Sequence, residues 1–305
     1  MFQETNTSFV DSTTPENIFL QAAQEIKARF AYEGLSSYVI QAVRDAIWAY
    51  HATSRRSFPW REVITPYRVV VSEVMLQQTQ TYRVEPKFNV FVEQFPDFHT
   101  LAKAPFDEVL RYWKGLGYNR RAQNLQKIAQ SIHAEYCDIV PCDAEVLQMF
   151  PGIGVATAAS ILTFTYDVPL VFLETNIRTL LIYLFFDESS KIHDKELMPL
   201  AEKLVDRERP REWYYALMDV GVVLKKQVGN LARLSNVYTK QSRFVGSSRQ
   251  IRGKVLEHLL VAGTLSVEEL TMLVNDPGQR TLSVINQLLA ENFLEITNGV
   301  LSLKK

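Results

Sequence analysis

Apolar residues recur at three-to-four spacing along most of the chain, the signature of helices with one buried face. The windows predict helices over 31–50, 67–81, 84–94, 106–114, 120–136, 144–150, 156–165, 176–186, 194–205 and 211–224. Between them stand Phe58-Pro59-Trp60, Thr65-Pro66, Phe95-Pro96-Asp97, Gly115-Leu116-Gly117, Val140-Pro141 and Phe150-Pro151-Gly152, residues that mark turns and helix starts. The body therefore reads as all-α. Beyond it the texture changes. Helices are predicted over 249–261, over 266–274 with Ser-Val-Glu-Glu as its cap, and over 278–292. Residues 293–303 then alternate around Asn298-Gly299, a short-range hairpin signal. Three helices and a terminal hairpin describe a winged helix. Such modules bind DNA in some proteins and only pack against a neighbour in others, and in the 278–292 helix Arg280 alone would reach a base edge.

With 305 residues the length allows two domains and an appended module. The expected boundaries are a loose leader at 1–17, a core at 18–245 and the winged helix at 246–305. A hydrophobic share of 47% and a charged share of 22% fit a soluble globular protein. No apolar run approaches the ~20 residues of a membrane helix, and the polar residues 1–17 lack the apolar core of a secretory signal. Cys137 and Cys142 are the only cysteines, which points to a reducing compartment and gives no zinc spacing. His51, His99, His133, His193 and His258 are scattered without ligand spacing, so no metal site is expected.

A net charge of −1 argues against a strongly cationic nucleic-acid binder, but the distribution changes the picture. From Lys225 to Lys254 the chain carries Lys225, Lys226, Arg233, Lys240, Arg243, Arg249, Arg252 and Lys254 with no Asp or Glu. That run reads as a phosphate-tracking surface. The alternative is a solvated linker kept extended by its charges.

Three segments carry chemistry. Val71-Ser72-Glu73-Val74-Met75-Leu76-Gln77-Gln78-Thr79-Gln80 sets a lone carboxylate in an apolar helical start, where partial desolvation raises a carboxyl pKa. Phe150-Pro151-Gly152-Ile153-Gly154-Val155-Ala156-Thr157-Ala158 reads as a turn between helices whose two glycines let backbone N–H groups approach a phosphate. A second carboxylate, Glu174, follows in Leu173-Glu174-Thr175-Asn176. In this order, together with Phe58-Pro59-Trp60-Arg61, Gly115-Leu116-Gly117-Tyr118, Ala122-Gln123-Asn124-Leu125 and Ala216-Leu217-Met218-Asp219-Val220-Gly221, they resemble the helix-hairpin-helix DNA glycosylase superfamily and its adenine glycosylase branch.

The resemblance implies a two-lobed helical fold, with a six-helix module at about 61–170 and a second lobe from about 18–60 and 171–245. It implies that Glu73 protonates adenine as the general acid; the alternative is a helix glutamate paired with Arg68. Glu174 takes the place of the ionised carboxylate that stabilises charge on the sugar. Relatives carry aspartate there, and the extra methylene displaces the carboxylate by about a bond length, on a scale where ~1 Å costs rate. Asn176 matches the asparagine that supports the site, and it also reads as a helix N-cap. Gln78 and Tyr118 match residues that enter the duplex beside the lesion; a core tyrosine is the alternative for Tyr118. Ala156 stands where bifunctional relatives carry a lysine, so no lyase step is expected.

Two family features are missing. Four cysteines that hold an iron–sulfur cluster after the Met218-Asp219 segment have no counterpart, so no cofactor is expected. The basic run, with Lys225, Lys226, Arg243, Arg249 and Arg252, occupies that place as a phosphate contact beside Gly152 and Gly154. A winged helix stands where adenine glycosylases carry the domain that reads 8-oxoguanine. An alkali cation on the hairpin carbonyls is a further option that the resemblance carries. The expected protein is a monomeric, cytoplasmic, monofunctional glycosylase on double-stranded DNA, nucleoid-associated if bacterial, with adenine in a mispair as its base. The alternatives are a glycosylase for uracil, thymine or a modified pyrimidine, and a lesion-binding protein without catalysis.

Overall fold

The computed structural model describes residues 13–187, 191–240, 243–276 and 279–304. Thr14 opens α1 (Pro15–Glu33) by accepting from the backbone of Asn17, and Pro15 sits in the first turn, where its missing N–H is not needed. Gly34 ends that helix, and Ser36 caps α2 (Ser37–Ser54) through Val39 N. Cap chemistry thus divides the stretch 31–50 that periodicity predicts as one helix. It also starts a helix inside the expected leader, of which 1–12 lie outside the described residues.

The chain continues through α3 (Pro59–Glu62), α4 (Pro66–Leu76), α5 (Thr81–Gln94), α6 (Phe98–Lys103), α7 (Phe106–Trp113), α8 (Arg120–Tyr136) and α9 (Ala144–Gln148). Then come α10 (Val155–Tyr166), α11 (Thr175–Phe185), α12 (Asp194–Leu204), α13 (Pro210–Val228) and a 3-10 turn at Leu231–Leu234. The last segment forms α14 (Ser248–Ala262), β1 (Thr264–Ser266), α15 (Val267–Val274), α16 (Thr281–Ala290), β2 (Leu294–Thr297) and β3 (Val300–Leu303). Its strands pair antiparallel in the order β1-β3-β2, and Asn298 and Gly299, both left-handed, turn the hairpin. Helix–strand–helix–helix–hairpin is compatible with the expected winged helix. The three-residue β1 is too short to leave a periodic trace. Gly278, the predicted start of α16, lies outside the described residues.

The chain divides into two units, 1–57 with 162–239 and 58–161 with 240–305, the division falling within α10. In the first, α11 and α13 pack through Ile177, Leu180, Leu181, Trp213, Tyr214 and Val220, all buried. The Tyr214 ring stacks on Phe172 at 3.9 Å between centroids, and its hydroxyl donates to the Leu170 carbonyl at 2.9 Å. Arg44 of α2 closes the end of α12 by donating to the carbonyls of Lys203, Leu204 and Val205, groups that a helix end leaves unsatisfied.

In the second unit an aromatic core of Phe88, Phe91, Phe95, Phe98 and Trp113 fills the space under α4, α5 and α7. The C-terminal segment, expected to stand apart from 246 onward, groups with this helical module. The reason is a set of specific contacts. Glu291, just past α16, receives Arg120 of α8 and Arg252 of α14, Phe293 meets Phe106 edge-on at 5.3 Å, and Lys114 pairs with Glu257 at 2.7 Å. No described helix is long and apolar enough to cross a membrane.

Candidate functional site

Glu73 stands in the last turn of α4, not at a helix start, because the helix ends at Leu76 rather than running to Thr81. Val70, Val71, Val74 and Met75 are buried around it, and Glu73 itself is half-buried. Ser160 of α10, almost wholly buried, donates its hydroxyl to Glu73 Oε2 and also lies 3.0 Å from the Thr157 carbonyl. One hydroxyl can serve both charge states of the carboxyl. It donates to the carboxylate, or it accepts from the carboxylic acid while donating to Thr157 O. Arg68, the alternative partner of Glu73, directs its guanidinium to the carbonyls of Val63 and Pro59.

After α4 the chain turns sharply at Gln78, which is exposed and holds φ at 54°, a left-handed value costly for a residue with a Cβ. A second such turn puts Tyr118 at φ 48°. One side chain ties both. Arg121, buried in the first turn of α8, donates through Nη1 to the carbonyls of Val74 at 3.0 Å, Met75 at 2.7 Å and Gln77 at 2.6 Å. Through Nη2 it reaches Thr79 Oγ1 at 2.9 Å and the Gly117 carbonyl at 3.1 Å. Burial lowers its pKa to about 10, which leaves it protonated at neutral pH. It therefore caps the carbonyl end of α4 and holds the two strained turns in place. Arg121→Ala is expected to cost on the order of 3 kcal/mol or more, since it leaves several buried acceptors unsatisfied. Arg121→Lys should recover only part, lacking the planar fork. Urea unfolding measures this, and a loss under about 1 kcal/mol would show that the guanidinium is not the tie.

The hairpin joins α9 to α10. Gly152 holds φ at 81°, and a Cβ there would lie 2.6 Å from Asn124 Nδ2. Its carbonyl accepts from Gln77 Nε2 at 3.1 Å, so the hairpin is tied to the turn that carries Gln78. Ile153 is the buried anchor of the turn, while Gly154, Val155 and Ala156 are exposed and a Cβ at Gly154 would meet nothing within 4 Å. An exposed helix start of this kind directs unpaired N–H groups outward, where a phosphate can take them.

In the first unit, Glu174 is the N-cap of α11. Its Oε1 accepts from the backbone of Asn176 at 2.7 Å and Ile177 at 2.8 Å. Asn176 is thus not the cap that its position suggested: it is the second helical residue, and its Nδ2 donates to Glu174 Oε2 at 3.2 Å. Burial raises the Glu174 carboxyl above the ordinary glutamate range, against the opposing pull of the two backbone N–H groups, Arg178 and Arg56. The fully ionised carboxylate expected from sequence is therefore held at an electrostatic cost. Arg56 itself grips buried Asp219 of α13 through Nε at 2.7 Å and its backbone N–H at 3.1 Å. Two residues on, Gly221 lets α13 approach α11 so closely that a Cβ would fall 2.4 Å from the Asn176 carbonyl oxygen.

Several members of the basic run, read from the sequence as a phosphate-tracking surface, are engaged by other groups of the protein. Lys225 and Lys226 lie in the last turn of α13, a favourable place for cations at a helix end. Arg243 is exposed. Arg252 pairs with Glu291 and lies over the Phe293 ring, and Lys254 donates to the Val274 carbonyl, so these two serve the packing of the C-terminal module. Arg249 donates to the Tyr118 hydroxyl. Arg280, the expected base-edge contact, is held by Asp276 and the Gly246 carbonyl. Sequence reasoning passed over Ser160, Arg121 and Arg56; for the first two the available signal was their place beside the hairpin and Gly-Leu-Gly-Tyr motifs.

After α13 there is no cysteine, and Cys137 and Cys142, both exposed, lie at 137–142 between α8 and α9. Two thiols cannot supply the four thiolates of an iron–sulfur cluster, so the residues present do not fit that group. Among the described residues no group of three or more His, Cys, Asp and Glu side chains is arranged to hold a metal ion.

Comparison with known proteins gives the class that this geometry belongs to. Residues 71–207 match the model of the HhH-GPD superfamily of base excision DNA repair proteins. An adenine DNA glycosylase of Mycolicibacterium smegmatis is 32% identical over 271 residues, covering 82% of this chain and 91% of that protein. The adenine DNA glycosylase of Homo sapiens is 29% identical across 89% of this chain, which spans about half (52%) of the human protein's length. Among solved structures, a thermostable thymine-DNA glycosylase matches with a TM-score of 0.53 and 25% identity over 60% of this chain and 85% of that one. The chain belongs to the helix-hairpin-helix base excision repair superfamily, in its adenine DNA glycosylase branch.

Proposed function

We propose that this protein is a monofunctional DNA glycosylase that extrudes a base from double-stranded DNA and hydrolyses its N-glycosidic bond, with adenine in a mispair as the preferred base. The observation that carries the proposal is Glu73 in an apolar wall with Ser160 as its hydroxyl partner, an arrangement suited to a carboxyl that gives up a proton and takes it back. In this reading Glu73 protonates the leaving base, and the Glu174 carboxylate, oriented by Asn176 and the first turn of α11, stabilises the cationic sugar and the incoming water. Gln78 and Tyr118 enter the duplex from their two clamped turns, and Ala156 lies beside the base pocket. Gly152, Gly154, half-buried Lys225 and the exposed cations Lys226 and Arg243 contact phosphates. Ala156 offers no amine, so the product is an abasic site without strand cleavage. The protein acts as a monomer, needs no iron–sulfur cluster and works in the compartment that holds the DNA.

A second reading, a lesion-binding protein without turnover, is favoured by one observation: Glu174 already satisfies two backbone N–H groups and an amide. Single-turnover incubation with synthetic duplexes holding A, U, T or damaged pyrimidines opposite G or 8-oxoguanine separates the two. Alkali-dependent cleavage of the adenine duplexes is expected, with none before alkali. Cleavage of a pyrimidine duplex alone would reassign the base, cleavage without alkali would show a lyase, and binding with no cleavage anywhere would favour the second reading.

A further inference from the structure

The C-terminal module is poorly built to read DNA with α16. Arg280, just ahead of that helix, is held by Asp276, and the exposed helix positions Leu282, Ser283, Asn286 and Gln287 carry no cation. Its end is committed to docking, since Glu291 takes Arg120 and Arg252, and its carbonyl takes Gln123 Nε2 at 3.1 Å. The docking has a consequence one turn of α14 before Arg252. It sets the first turn of α14 against the Gly-Leu-Gly-Tyr turn, where Arg249 Nη1 donates to the Tyr118 hydroxyl at 2.5 Å and the guanidinium carbon stands 5.0 Å from the ring centroid. Arg121 flanks the same ring at 5.6 Å. A half-buried tyrosine on a strained turn thus has two planar cations against its ring, one of them brought by the C-terminal module.

Planar guanidinium groups are weakly hydrated and stack on aromatic faces, and every nucleobase offers such a face. We propose that Arg249 and Tyr118 form one composite stacking element for an unpaired base within duplex DNA, so that the C-terminal module contacts DNA through the first turn of α14 and not through α16. The element rests on the glycosylase reading for its duplex ligand. It also gives Arg249 a different task from the phosphate contact that the basic run suggested, and the two tasks have different signatures. A phosphate contact strengthens binding to all duplexes alike and contributes to the salt dependence. A stacking element favours the duplex with an unpaired base.

The test measures fluorescence anisotropy of the full chain with two duplexes of one sequence, one fully paired and one with a tetrahydrofuran abasic analogue opposite guanine. Arg249→Ala is expected to lower the preference for the abasic duplex about tenfold while affinity for the paired duplex stays within about threefold, the scale of one stacking contact. Arg249→Lys, which keeps the charge and loses the plane, should behave like Arg249→Ala, and adding Arg249→Ala to Tyr118→Ala should lower the preference no further. Equal loss on both duplexes, with the slope of log affinity against log salt reduced by about 1, would overturn the proposal in favour of a phosphate contact. No change on either duplex would overturn it in favour of a purely internal clasp. If the Ala variant unfolds early, the Lys variant, compared with the parent at a temperature where both proteins remain folded, decides by the same ratio. Failure of the glycosylase reading shows separately, as absence of base release by the unaltered protein.

Discussion

Glu174→Gln is expected to lower single-turnover base release by about 10²–10³-fold, the scale of losing one preorganised electrostatic partner of the transition state. Glu73→Gln, which removes the acid itself, should cost about 10²–10⁴-fold. What distinguishes Glu174 is the direction of its accompanying stability change. Burial raises its carboxyl pKa in the folded protein above the unfolded value, despite the N–H groups of Asn176 and Ile177. For a group raised on folding, the stabilising contribution is complete below the unfolded pKa, about 4.3 for glutamate, and is lost as pH rises through the folded value. At neutral pH the fold therefore holds a carboxylate that it disfavours. Glutamine keeps an acceptor oxygen for the cap and carries no charge, so the inactive variant should melt no lower than the parent at pH 8, and the two should converge below about pH 4. If base release needs the ionised form, its acid limb should lie above the ordinary glutamate range. A Gln variant that melts several degrees lower at pH 8 would show that the charged cap outweighs desolvation, and the argument for a held, costly carboxylate would fail.

The helical class and the hairpin were legible in the sequence because each rests on local pattern, apolar periodicity for the one and a Pro-Gly turn for the other. The branch of the superfamily was legible from motif order, which the comparison with known proteins supports. What escaped was decided by contacts between segments far apart in sequence. Charge composition made Arg252 a phosphate ligand, yet it closes on Glu291, thirty-nine positions further on (291 − 252). Arg121 looked like one more basic residue in a helix, and only the fold shows three carbonyls of 74–77 converging on its Nη1. The 31–50 window failed for a local reason. Gly34 and Ser36 are a stop and a start, and apolar spacing averaged over them hides both. Glu174 displaced Asn176 as the cap because α11 already starts at Thr175, which leaves the N–H groups two and three residues ahead of Glu174 for its carboxylate to accept from.

Gly221→Ala is the second substitution with a large expected effect, and it acts without touching a reacting group. In isolation alanine favours the interior of α13 by about 1 kcal/mol over glycine. Here its Cβ would meet Asn176 O at 2.4 Å, Asn176 Cβ at 2.6 Å and Asn176 C at 2.7 Å, distances at which one backbone must move. The atom that is struck belongs to the first turn of α11, the same turn whose N–H groups fix the Glu174 carboxylate. Overpacking of this kind costs about 1–3 kcal/mol, partly offset by the helix propensity of alanine, so the net loss of stability should be small. The loss of rate should not be. A shift of ~1 Å in a catalytic group costs about 10²-fold, and nothing else holds this carboxylate as closely as the turn that moves. Base release should therefore fall far more than urea unfolding alone would suggest. Asn176→Ala cannot rescue it, because the closest atom is the backbone oxygen that alanine retains. A Gly221→Ala protein that releases base at the parent rate would mean that α11 accepts the methyl group without displacing Glu174, or that Glu174 has no part in the chemistry; the Glu174→Gln rate decides between them.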